Sequence, residues 1–275
     1  MDNKILHEQF HNERVKASEL TAWLLAHGIS SVTTDEVAAL LGIPKNQVPQ
    51  RLAAPQKRKE IVLLVNGLWA PVPPEYKAWG APPAIDIIDP LMRRLNIAYY
   101  VGWLSAAVYL GASHHAPQVF QVAVSYGRRA RTVGRSRFQF YKRDHIDLAV
   151  TIKIESKSGF VPVSNRETTL LDIADGIGFI GGIDNAANLI IELCEASPPD
   201  IKELALLAAH YPASAVRRLG FLMEHFTNVS ALEPLKAISD SKNTSVSLLD
   251  PHTGSIGTVD KYWNLKINRE VSPDI

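Results

Sequence analysis

Residues 33–72 read TTDEVAALLGIPKNQVPQRLAAPQKRKEIVLLVNGLWAPV. Thr33 with Glu36 three residues later has the form of a capping box, which opens a helix whose apolar face is Val37, Leu40 and Leu41. Gly42 ends it, and the tight turn Gly42-Ile43-Pro44 leads into KNQVPQRLAAPQKRK. Pro49 fits a helix only in its first turn, so the next helix is expected to begin near Lys45 or Asn46. The β-rich runs IVLLV and LWAPV follow, joined by Asn66-Gly67, the dipeptide that best marks a two-residue hairpin. Upstream, SELTAWLLAHG (18–28) has roughly helical spacing of apolar residues and stops at Gly28.

Helix, helix, tight turn, helix, hairpin is the order of a winged helix-turn-helix. In that arrangement the second helix of the turn enters the DNA major groove, with its first residues against base edges. Here it supplies Lys45, Asn46, Gln47, Gln50 and Arg51, followed by Lys57, Arg58 and Lys59. Asn and Gln pair with adenine through two hydrogen bonds, while Arg and Lys read guanine or hold phosphates. Those eight residues are the expected DNA contacts of an N-terminal domain, residues 1–80.

Six of the 17 prolines fall within residues 71–90, PVPPEYKAWGAPPAIDIIDP. Proline fixes φ and biases its predecessor away from helix, so this stretch reads as a Pro-rich linker with the boundary near residue 80. Beyond it, residues 81–275 read as a larger domain of mixed α and β character. A buried helix is expected over roughly 99–112, then strands at 118–125, 137–142 and 147–155. Helices follow at 164–175 (Ser164 and Glu167 as capping box), 184–195, 199–210, 212–226 and about 229–237, and the end returns to strand. The whole is an α+β chain of 275 residues.

Composition sets limits. Lys and Arg number 29 against 28 Asp and Glu, so any basic patch is local and an acidic surplus balances it elsewhere. A single cysteine, Cys194, leaves no intrachain disulfide and no cysteine-based zinc site. The first residues, MDNKILHEQFHNERVK, are too polar for a signal peptide. The longest apolar run, IAYYVGWLSAAVYLGA, is shorter than the roughly 18 residues of a membrane span. A cytoplasmic protein is expected, without cofactor.

Several stretches then occur together in order: GLWAPVPPEY, YYVGWLSAAVYLGASHHAPQVFQVAV, SGFVPVSNRETTLLDIAD, YPASAVRRLGFLMEHF and KYWNLKIN. Their order and spacing, from about residue 14 onward, resemble the AbiEi family, the antitoxins of type IV toxin–antitoxin systems that act in abortive infection. The resemblance implies a two-domain transcription regulator. Its N-terminal winged helix-turn-helix would repress its own operon by binding inverted repeats in the promoter, and its C-terminal domain would carry the antitoxin function. The partner it implies is a nucleotidyltransferase-like toxin, countered without a stable complex being required. No enzymatic activity is expected of the antitoxin itself.

Other motifs point to other chemistries. HEQFH at 7–11 matches H-E-x-x-H letter for letter, but a catalytic zinc needs a third ligand and a dry cavity. The candidates, Glu36 and His27, belong to other elements. His114-His115 reads as a polar turn, and no G-x-S-x-G elbow places a serine nucleophile. Asp147 with Glu155 and Lys157 fits the loose D…E-x-K spacing of magnesium-dependent nucleases, so a winged-helix nuclease is the alternative from another class. A DNA-binding regulator that senses a small ligand is a third. Finally, residues 125–143, SYGRRARTVGRSRFQFYKR, hold seven cations and no acid. Arg128, Arg129, Arg131, Arg135 and Arg137, interleaved with aromatics, read as a second nucleic-acid surface.

Overall fold

The computed structural model describes residues 14–112, 117–242 and 245–274. HEQFH and His114-His115 lie outside the described residues.

The N-terminal pattern folds as its punctuation demands. α1 spans Leu20–Ala26 and α2 spans Thr34–Leu41. The Thr33 hydroxyl accepts from the Glu36 amide at 3.2 Å, and the Glu36 carboxylate accepts from the Thr33 amide at 2.6 Å, completing the capping box. Gly42 takes a left-handed φ of 62° to end α2. A short 3-10 turn, Lys45–Gln47, enters α3, Val48–Lys57, with Pro49 in the first turn. The N–H that Pro49 lacks has no intrahelical partner there in any case.

β2 (Ile61–Val65) and β3 (Leu68–Pro71) pair antiparallel across Asn66-Gly67, where Gly67 has φ 80°. A short β1, Val32–Thr33, adds to β3. Leu20, Leu24, Val37, Leu40, Val48, Leu52, Ile61 and Trp69 form the core of this region. The hairpin tip is tied to α2, since the Thr34 amide donates to the Gly67 carbonyl at 3.0 Å and Trp69 Nε1 to the Thr34 hydroxyl at 3.0 Å.

The proline cluster does more than connect. Residues Ala84–Leu95 form α4, and Pro90 lies buried inside it. Ile87, Ile88, Leu91 and Met92 pack on Leu64, Leu68 and Ala70 of the hairpin and on Val101, Val122, Phe138 and Val163 of the next sheet. The hairpin is therefore apolar on both faces, which is why IVLLV runs without alternation. The local sequence argues against a helix here, because two prolines mark its start and one interrupts it. A strongly one-sided burial pattern outweighs the bond that Pro90 removes.

The main sheet has the order β6-β7-β5-β4-β9-β8, made of β4 (Tyr99–Val101), β5 (Val119–Val124), β6 (Arg131–Val133), β7 (Ser136–Lys142), β8 (Thr151–Ser156) and β9 (Gly159–Ser164). The helix expected over 99–112 is thus a strand followed by a shorter helix, α5, Trp103–Tyr109. The β-favouring Tyr99-Tyr100-Val101 completes the sheet between β5 and β9, and extended Gly102 separates it from α5.

A helical layer follows: α6 (Arg166–Asp175), α7 (Ile183–Ala196), α8 (Ile201–Ala208), α9 (Ala213–Phe226) and α10 (Glu233–Ser241). The cap of α6 is Asn165, whose side chain accepts from the Thr168 amide at 2.9 Å. Ser164, the cap expected from the sequence, is instead fully buried, its hydroxyl sharing a hydrogen bond with that of Thr169 at 2.7 Å. Three short strands close the chain, β10 (Ser247–Leu248), β11 (Thr258–Asp260) and β12 (Leu265–Ile267). They deliver Trp263 onto α9, where a Cβ at Gly220 would overlap the indole ring.

Candidate nucleic-acid interface

α3 buries Val48, Leu52 and Pro55. This apolar stripe leaves Asn46, Gln47, Gln50 and Arg51 exposed at the start of the helix and Lys57 at its end. Charge around the helix is less uniform than the sequence run suggests. Lys45 Nζ lies 2.7 Å from the Asp35 carboxylate, and Arg58 pairs with Glu60 at 2.9 Å. Glu60 also takes Lys77, at 3.3 Å. Hydrogen bonding from Arg58 holds the Glu60 carboxyl below its ordinary value. Both acids lie outside the 45–59 segment, so the segment alone does not reveal them. Among the described residues, Arg51, Lys57 and Lys59 remain as the cations of this segment without an acidic partner.

The arginine run does not form one patch. β6 and β7 pair with Arg131 opposite Phe138 and Thr132 opposite Arg137. Side chains alternate along a strand, so Arg131 and Arg137 stand on opposite faces. Arg128, Arg129 and Arg131 border a recess together with Val65 of the hairpin and Leu95 of α4. The Arg94 guanidinium lies against Gly67 at the same end, where Lys45 and Asp35 also sit beside the tip of the hairpin. Arg135 and Arg137 lie on another groove, with Trp79. Arg131 is half-buried, and burial lowers its pKa.

Arg143, the last cation of the run, is mostly buried. It reaches inward to the carboxylates of Asp172 and Asp175 on α6, the second at 2.6 Å. Asp172 is fully buried and also accepts from the hydroxyls of Tyr100 at 3.0 Å and Tyr211 at 2.8 Å. The guanidinium stacks 4.5 Å from the Tyr211 ring centre and 5.6 Å from that of Trp103. Burial works most strongly against the Arg143 charge, but Asp172, Tyr211, Tyr100 and Asp175 together outweigh it and carry the pKa above the ordinary value. This network floors a cleft of 530 Å³ whose mouth holds Lys142, His145 and His210.

Sequence reasoning missed Asp172, although a signal was present. In TLLDIAD a carboxylate sits among residues that are nearly all apolar, and a buried charge demands a partner. Arg218 is likewise internal, donating to the backbone carbonyls of Ala174, Leu248 and Leu249. Burial draws its pKa to about 10.

The three residues of the nuclease pattern sit on different local elements. Asp147 sits in a 3-10 turn before β8, whereas Glu155 lies four residues into the strand, roughly 13 Å along it from Thr151. Lys157 turns to Glu75 and Asp86 on the side of the proline segment. Among the described residues no group of three or more His, Cys, Asp or Glu side chains is placed to hold a metal. Glu36 is taken up in its cap, and His27 stacks on Trp23. No helix among the described residues is long and apolar enough to cross a membrane.

Residues 100–225 match the family model of the AbiEi antitoxin C-terminal domain. The match supports an antitoxin of the AbiEi family, and with it an antitoxin role in a toxin–antitoxin system. The match begins at Tyr100 and ends on α9, so it contains the Arg143–Asp172 network and the whole arginine run. The RV2827C protein from Mycobacterium tuberculosis has a similar crystal structure, with a TM-score of 0.65 at 16% identity over 93% of this chain and 92% of that one. The likeness is one of fold. No curated protein matches the chain.

Proposed function

We propose that this antitoxin is also the transcriptional autorepressor of its operon, within a type IV toxin–antitoxin system. Residues 1–80 act as a winged helix-turn-helix DNA-binding domain, with α3 as recognition helix and the β2–β3 hairpin as wing. Residues 81–275 act as the antitoxin domain, toward a nucleotidyltransferase-like toxin and without a stable complex being needed. The chain has no catalytic step of its own in this reading, and it works in the cytoplasm.

One observation carries it. α3 spends its apolar residues inward and presents Gln50 and Arg51 at its exposed N-terminal end, with Asn46 and Gln47 of the 3-10 turn just before it, the end that reads bases when such a helix enters a major groove. The tip of the hairpin lies at that end, with Arg94, Arg128 and Arg129 near it to take phosphates on either side. Lys45 exchanges Asp35 for a phosphate on binding, a small cost for an exposed pair.

The test is binding of the full-length protein to a duplex from its own promoter. Lys45→Ala with Arg51→Ala is expected to abolish the shift while the protein stays folded. An unchanged shift removes α3 from the interface. Cleavage of DNA or RNA with Mg²⁺, abolished in Glu155→Ala, would replace the repressor reading with the nuclease.

A further inference from the structure

The groove that takes Arg135 and Arg137 combines exposed aromatic rings with exposed cations. It encloses 840 Å³ between the proline segment, α5 and the β6–β7 turn. Trp79 and Tyr109 line it and are 49% and 36% exposed. Trp69, Trp103 and Trp263 are buried and Trp23 is partly so, as large rings ordinarily are. Arg135 and Arg137 are exposed and have no acidic partner among the described residues. The wall is held in place by backbone. The Arg135 amide donates to the Trp79 carbonyl at 2.9 Å, and a Cβ at Gly134 would collide with the backbone of Trp79 and Gly80. Lys59 packs against Gly80 and extends the positive rim toward the end of α3.

We propose that this groove is a binding site for an unpaired nucleic-acid strand, with bases stacked on Trp79 and Tyr109 and phosphates held by Arg135 and Arg137. Exposed aromatic faces alternating with guanidinium groups are what a single strand needs, since each base has a ring face and each linkage a charge. A duplex hides its base faces in its own stack, so it has nothing to offer Trp79. The site is separate from the operator surface described above. It lies at the far end of the hairpin from the Asn66-Gly67 tip, and it stands whether or not α3 reads a promoter.

The experiment titrates full-length protein with fluorescently labelled oligouridylate, oligodeoxythymidylate and a duplex of the same length, following anisotropy and tryptophan emission. Both single strands are expected to bind and to quench tryptophan emission, and a preference between them identifies RNA or DNA as the natural form. Trp79→Ala should weaken single-strand binding about tenfold or more, with Trp79→Phe retaining most of it. Arg135→Ala with Arg137→Ala should flatten the slope of log affinity against log salt by about 1.4. Arg128→Ala with Arg129→Ala should leave both single-strand measurements unchanged. A thermal melt of each variant separates loss of the site from loss of the fold. Equal affinity for the duplex, absence of binding at low salt, or a folded Trp79→Ala protein that binds as the parent does would each overturn the assignment. Lys45→Ala with Arg51→Ala should keep single-strand binding, so failure of the operator reading is seen separately.

Discussion

The N-terminal region keeps its arginines at the surface, whereas the AbiEi domain, beside its exposed ones, also buries others. In the first, Arg51 stands on the outer face of α3 and Arg58 is an exposed partner of Glu60. In the second, Arg143 and Arg218 are internal, one neutralised by two carboxylates and the other held by three backbone carbonyls. An exposed cation costs the fold nothing and is available to a phosphate. A buried one is costly to desolvate, and its position is fixed by the partners that offset this cost. The difference teaches that an arginine run is not a unit. Within 128–143 the same residue type serves a recess beside the hairpin, a groove beside Trp79 and the inside of the protein.

The comparison is broken most directly at Arg143. Arg143→Ala leaves Asp172 buried with an uncompensated charge, and removing one partner of such a pair costs about 3–5 kcal/mol. Chemical denaturation should show a loss of that size. A loss as small as that of a surface substitution would mean that Arg143 belongs with the exposed cations. Arg51→Ala is the counterpart. It should change stability by no more than about 0.5 kcal/mol, while operator binding falls.

Packing between the AbiEi domain and the closing strands gives an intermediate effect. Gly220 faces the Trp263 ring directly, so Gly220→Ala overpacks the junction between α9 and the closing strands. A destabilisation of about 1–3 kcal/mol is expected by thermal or denaturant unfolding. A neutral result would show that the closing strands move away from α9 without cost.

The recess and the groove are told apart by salt. Replacing Arg128 and Arg129 with alanine should reduce the operator salt slope by about 0.9 for each phosphate no longer neutralised, with sequence preference unchanged. Equal slopes would confine the duplex to the N-terminal region. The smallest effect is chemical. Burial pushes the Cys194 thiol up to about 12, so iodoacetamide should leave it unmodified in the native protein at neutral pH and react once the chain is denatured. Rapid native labelling would show that α7 opens readily.

How far the sequence can be read depends on the range of the forces involved. The capping box at Thr33, the stop at Gly42, the tolerance for Pro49 and the hairpin at Asn66-Gly67 are set by neighbours within a few residues, and each appears in the structure where the local rule puts it. The stretch 71–112 escapes local rules because its outcome depends on distant partners. Prolines argue for a connection, but the hairpin and the main sheet each need an apolar cover, and α4 supplies it to both. Tyr99-Tyr100-Val101 looks helical as part of an apolar run, but open positions beside β5 and β9 make it a strand.

The candidate interface divides in the same way. The order of residues in 45–59 is enough to mark which side chains stand at the start of a helix, since an amphipathic period of 3.6 fixes a face without reference to the rest of the chain. It does not show that Asp35 and Glu60 neutralise two of the segment's cations, Lys45 and Arg58. Nor does it show that Arg143 turns inward to Asp172, 29 residues away in the chain. Charge is local in sequence, but its free energy depends on solvent and on counter-charges brought together from anywhere along the chain, and that placement exists only once the tertiary structure has formed.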